Sequence, residues 1–166
     1  DVDHCGLLSK FENTEIIMNR KSAESLRRQA SGLPDYRENT ELRFGYSKIS
    51  QIITGYLPPD TRRFTILDSD TPEEHDELLK IGELPVADLT FDIYEGSGGH
   101  LIGEVIFVCP QYGLLFTGDL LVNISGFSKE TAEFNSLAPY LMKSVNIDST
   151  KATKMRNDIS KLATDR

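Results

Sequence analysis

Three short segments of this chain set carboxylates and imidazoles beside glycine turns or strand ends. The first, Asp1-Val2-Asp3-His4-Cys5-Gly6, puts two carboxylates and a histidine within four residues. Such a mixed oxygen and nitrogen donor set suits Zn²⁺, Fe or Mn²⁺. The second, Gly98-Gly99-His100-Leu101-Ile102-Gly103, uses glycines to turn the backbone sharply and present a histidine from a loop. The third, Leu114-Leu115-Phe116-Thr117-Gly118-Asp119, is an apolar run ending in Gly-Asp. An aspartate there sits at the rim of a sheet, where sites are commonly built. Taken singly, each segment has a plainer structural reading. Asp3-His4 reads as a helix cap with a surface histidine beside it, His100 as a turn histidine bonded to a backbone carbonyl, and Asp119 as another cap. The functional case rests on their order and spacing.

The elements that must position these residues alternate strand and helix. Residues 6–12 read as a short helix and Glu15–Met18 as a buried strand. Asn19 then caps a helix from about Lys21 to Ala30, whose Ala23, Leu26 and Ala30 share one face. Residues 32–63 are irregular and polar, with a short helix near Ser47–Ile53 that stops at Gly55; this region reads as an insertion or lid. A strand follows at Arg63–Leu67. The Thr71-Pro72 cap signal then predicts a helix over Pro72–Ile81. Leu89–Tyr94 alternates as a half-buried strand does, and a glycine turn at 96–99 leads to strands at Val105–Cys109 and Leu114–Thr117 around a Pro110–Gly113 hairpin. The tail reads as two helices, Lys129–Lys143 and Ser149–Ala163, the second capped by Asp148. This order argues for an α/β class with layered packing.

The three motifs in this order resemble the metallo-β-lactamase superfamily. Asp1, Asp3 and His4 match the third, fifth and sixth positions of its His-x-His/Asp-x-Asp-His motif. His100 and Gly103 match its Gly-His-Thr-x-Gly-Ser motif, with Leu101 and Glu104 where Thr and Ser are commoner. Thr117-Gly118-Asp119 matches its Thr-Gly-Asp, and the nineteen-residue step from His100 to Asp119 is what the family hairpin requires. The run Val105–Asp119 looks like family sequence throughout. The resemblance implies an αββα sandwich, here partial, forming a single truncated domain over residues 1–166. The family's remaining histidine ligands are expected outside residues 1–166, one before Asp1 and one beyond Arg166; the alternative is a degenerate member that has lost them.

The resemblance further implies two divalent metal ions, with zinc expected first and iron or manganese as alternatives. His100 would help to hold one, Asp3 and His4 the other, and Asp119 would bridge them. Water acidified by the metals would attack a polarised carbonyl or phosphoryl centre, and Asp3 is the candidate catalytic residue that orients it or shuttles a proton. Asp1 stands where histidine is commoner and makes the first site harder. One diiron branch of the superfamily carries a carboxylate there, in that case Glu. The expected function is therefore a metal-dependent hydrolase acting on an ester, thioester, lactone or phosphodiester. A diiron oxidoreductase of the same fold and a non-catalytic binding scaffold are the competing readings. The fragment by itself is expected to bind metal weakly and to be inactive.

Bulk properties bound these readings. The chain has 166 residues, 39% hydrophobic and 27% charged, which suits one soluble globular domain. A formal charge of −8 disfavours nucleic acid as a partner, and the resemblance implies a small-molecule substrate. No stretch approaches the roughly 20 apolar residues of a membrane span. Cys5 and Cys109 form no framework pattern, so reduced thiols and a cytoplasmic location are expected, although sequence leaves a Cys5–Cys109 disulfide open. Association into oligomers is left open. His75, in an acidic segment expected to be a surface helix, fits none of the motifs.

Overall fold

A computed structural model of the chain describes residues 2–35, 41–122, 126–133 and 146–164. Contact density divides it into two compact units, Asp1–Asp68 and Ser69–Arg166. The class is mixed α/β, as its sequence pattern implies.

The first unit begins with the four-residue helix α1 (Val2–Cys5) and a 3₁₀ turn at Leu8–Lys10. Strand β1 (Ile16–Met18) pairs in parallel with β2 (Phe64–Ile66), Ile16 opposite Phe64. A parallel pair needs a long crossover. Here α2 (Arg20–Ala30) and α3 (Glu41–Thr54) supply it. Asn19 caps α2 as expected: its Oδ1 accepts the Ser22 amide at 3.0 Å, filling one of the orphan donors of the first turn. Ala23 and Leu26 are the buried face of that helix. Helix α3 is longer than the predicted 47–53 and ends at Gly55, whose φ of 64° is the left-handed conformation a helix stop requires. Beyond it the buried Tyr56 hydroxyl donates to Gln29 Oε1 at 3.1 Å, and burial pushes its phenol above the usual range. Arg63 donates to the Leu8 carbonyl at 3.3 Å, to Thr14 at 2.9 Å and to the Phe11 carbonyl, which ties the loop after α1 to the start of β2.

The second unit is an antiparallel meander of five strands in sequence order: β3 (Glu73–His75), β4 (Leu78–Val86), β5 (Leu89–Gly96), β6 (Val105–Cys109) and β7 (Leu114–Phe116). Helix α4 (Ser149–Thr164) covers one face. Its Ala152, Met155 and Ile159 are buried with Leu78, Tyr94, Ile106, Val108 and Leu120. Asp148 caps it, accepting the Thr150 and Lys151 amides at 2.9 and 3.0 Å, as expected. Farther along, Asp158 accepts the Glu77 amide at 3.0 Å and Lys161 Nζ at 2.8 Å, so the helix also holds the β3–β4 turn.

The helix predicted over Pro72–Ile81 does not form; that stretch is the β3–β4 hairpin. Asp76, with φ of 54°, makes the turn. Strand β4 slips register between Lys80 and Gly82, leaving Ile81 as a bulge. Leu78 and Ile81 are therefore both buried although three residues apart, a spacing that reads as helical. Pairing along β5 outweighs the local cap signal, aided by Lys80, which bonds Asp92 at 2.8 Å and Glu83 at 3.0 Å. His75 consequently lies on a strand, half-buried with its ring edge-on to Tyr94. Of the expected helix at Lys129–Lys143, residues 129–133 are helical, with Ser128 Oγ accepting the Thr131 amide at 3.2 Å; 134–143 lie outside the described residues. Among the described residues no helix is long and apolar enough to cross a membrane. No disulfide joins Cys5 to Cys109.

Met155 has no solvent exposure and sits at the centre of the α4–sheet contact. Met155→Ala should lower stability by about 2–5 kcal/mol, the loss typical of truncating a core Met. Urea denaturation measures it, and an unshifted midpoint would remove Met155 from the core.

Candidate functional site

The loop between β5 and β6 carries His100. It closes at its base where the Gly96 amide donates to the Glu104 carbonyl at 3.0 Å. Gly98 and Gly103 turn it with φ of 88° and 82°, values that L side chains rarely adopt. Gly99 is required for a different reason: a Cβ there would stand 2.5 Å from Ala152 Cα, inside the first turn of α4. The loop backbone therefore presses directly on the helix start.

Hydrogen bonds hold that contact from both sides. The Asp148 amide donates to the Gly99 carbonyl at 2.9 Å and the Ile147 amide to the His100 carbonyl at 3.1 Å. Glu104 Oε1 accepts the Gly99 amide at 2.9 Å and the His100 amide at 3.2 Å. Glu104 Oε2 is buried with no hydrogen-bond partner among the described residues. Burial accordingly raises the Glu104 carboxyl above its usual range, against the lowering effect of the amides it accepts.

His100 is buried, 5% exposed. Its Nδ1 is 3.0 Å from Asn146 Oδ1, and its Nε2 is 3.6 Å from Asp119 Oδ2. Asp119 lies in a 3₁₀ turn, Gly118–Leu120, directly after β7. Gly118, with φ of 53°, makes the turn, and Leu120 anchors it in the core. Arg156 of α4 donates to the Leu120 carbonyl at 2.7 Å, fixing the residue after Asp119. The structure thus brings His100 and Asp119 together from a loop and a strand end.

Their 3.6 Å separation is too long for a hydrogen bond. It is close to the roughly 3.4 Å between two donors that each reach one tetrahedral metal at about 2.1 Å. A buried imidazole nitrogen and a half-exposed carboxylate are chemically suited to zinc, iron or manganese. The pair fits part of a metal's coordination shell. Among the described residues no group of three or more His, Cys, Asp and Glu forms a complete one.

The remaining predicted ligands belong to the first unit. His4 is exposed at the end of α1. Asp3 lies in the same helix, its side chain outside the described residues, as is Asp1 altogether. Sequence reasoning missed Asn146 as part of the site. Its signal was faint: an asparagine two positions before the Asp148 cap, with nothing to connect it to a loop 46 residues earlier. Glu104 stood out as a departure from the commoner serine, but its grip on two loop amides could not be read from that. Comparison with family models, curated proteins and solved structures gave no match.

Two outcomes follow from the loop's construction. Gly99→Ala overpacks it against α4 and should cost about 1–3 kcal/mol, with amide shift changes concentrated in 96–104 and 146–152. Changes spread evenly over the chain would contradict the close approach. The second outcome concerns pH. With its folded pKa above the unfolded value, Glu104 contributes stability that is fully present below the unfolded glutamate range and lost as pH rises through the folded value. Wild-type stability should therefore fall relative to Glu104→Gln as pH rises from the ordinary glutamate range through the raised folded value. Parallel denaturation series would refute it if the two curves kept a constant offset.

Proposed function

We propose that the chain carries the site of a metal-dependent hydrolase of the metallo-β-lactamase type, built on an αββα sandwich. The single observation supporting this most is the juxtaposition of His100 Nε2 and Asp119 Oδ2 at 3.6 Å, with the other ring nitrogen held by Asn146. Two residues nineteen apart meet at a sheet rim in the order the resemblance requires. The five-stranded meander with α4 on one face supplies one sheet and one helical layer toward such a sandwich.

In this reading His100 and Asp119 would hold a divalent metal, and Asp1, Asp3 and His4 are the further ligands that the resemblance implies. The chemistry supplied by such metals when bound is Lewis-acid polarisation of a carbonyl or phosphoryl oxygen and acidification of water near neutral pH. The chain's own contribution is to orient and to move protons. His100 is fixed on both sides of its backbone, and Asp119 keeps a carboxylate half-open to solvent. Asp3 is the carboxylate assigned to the transferred proton. Substrates are small molecules with an ester, thioester, lactone or phosphodiester centre.

Metal analysis of the full-length protein that contains this chain, purified without chelator, beside its Asp119→Ala variant, tests the reading. The expected result is about two metal equivalents in the wild type, reduced in the variant, together with hydrolysis of an activated ester or phosphodiester that the variant loses by at least about 100-fold. Zinc or manganese fits hydrolysis. A redox-active iron pair would replace it with the diiron oxidoreductase reading, and no metal at all would leave a binding scaffold.

A further inference from the structure

The segment Asn146-Ile147-Asp148 does more than start a helix. Its two amides take the carbonyls of His100 and Gly99, while Glu104 Oε1 takes the amides of the same two residues. The backbone of the histidine is thereby held by donors on one side and an acceptor on the other. The segment is itself fixed, because the Asp148 carboxylate is engaged by the Thr150 and Lys151 amides. With the backbone so constrained, the state of His100 reduces to two ring torsions and the position of one proton.

We propose that Asn146 is a positioning residue that sets the tautomer of His100, so that Nε2 faces Asp119 as a bare lone pair. An amide oxygen only accepts, so the 3.0 Å contact with Asn146 Oδ1 requires the proton on Nδ1. A neutral imidazole carries one N–H, and Nε2 is then the ligating atom. Neutral imidazole in water favours the opposite arrangement, with the proton on Nε2, which would turn a donor rather than a lone pair toward Asp119. Asn146 reverses that preference without adding charge. A carboxylate in its place would also make the ring more basic. The functional meaning of this assignment rests on the metal reading of His100 and Asp119; the tautomer itself does not.

Long-range ¹H–¹⁵N correlation spectra of the metal-free, ¹⁵N-labelled chain at about pH 8, above the ordinary imidazole range, report the tautomer directly. His100→Gln identifies the signals among three histidines. Wild-type His100 should show the Nδ1–H pattern and Asn146→Ala the Nε2–H pattern. Asn146→Asp keeps an acceptor and should keep Nδ1–H, and it carries the test should the alanine variant not fold. A competition titration with zinc should then show about 10–100-fold weaker binding in Asn146→Ala and no loss in Asn146→Asp. An Nε2–H wild type, an unchanged tautomer in Asn146→Ala, an Nε2–H pattern in Asn146→Asp, or equal zinc affinity of wild type and alanine variant each overturns the proposal. A wild type with the Nδ1–H pattern that binds no zinc refutes the metal reading instead and leaves the tautomer assignment standing.

Discussion

The approach of Gly99 to Ala152 fixes how the histidine loop and α4 meet in the second unit. A helix starts where its first turn finds partners for its orphan amides and room for its backbone. For α4 the room exists because residue 99 has no side chain, and the partners are the Asp148 carboxylate and the loop carbonyls. Once that end is seated, Ala152, Met155 and Ile159 fall over Tyr94, Ile106 and Leu78, and the core closes. The same seating holds the histidine loop, so packing and site geometry are one problem with one solution.

Polar groups in this unit are buried or half-buried where they join elements. Asp158 fastens the helix to the β3–β4 turn, Lys80 and Asp92 link two strands, and Glu104 spans the loop it closes. Each is satisfied at most of its atoms, as buried polar groups must be. Glu104 is the exception: one oxygen binds two amides while the other is buried with no hydrogen bond from a described residue. A carboxyl so placed gives directionality to the loop at an electrostatic cost that serine, the commoner residue there in the resembled family, would not incur.

Local signals were legible wherever local chemistry decides the outcome. Asn19 and Asp148 read as caps because a short side-chain acceptor before an amphipathic run has few other uses, and both cap helices. Strands β5, β6 and β7 were visible through alternation and glycine turns. The failure at Pro72–Ile81 had a physical cause: a real cap pattern and an apolar spacing of three competed with pairing to β5, and a bulge at Ile81 reproduced that spacing within a strand. At the site, His100 and Asp119 stood out by type and neighbours. Asn146 did not, because its role comes from a loop contact that no local pattern encodes. Within the region 32–63, α3 exposes Ile49, Ile52 and Ile53 to solvent.

Arg156 and Asn146 belong to one structural piece, the helix α4 and the residues leading into it. One grips the backbone beside Asp119 and the other grips the His100 ring. His100 and Asp119 therefore take their positions from a common reference, although sequence places them on separate excursions of the chain. The conformational entropy of bringing the pair together is spent once, when the core forms.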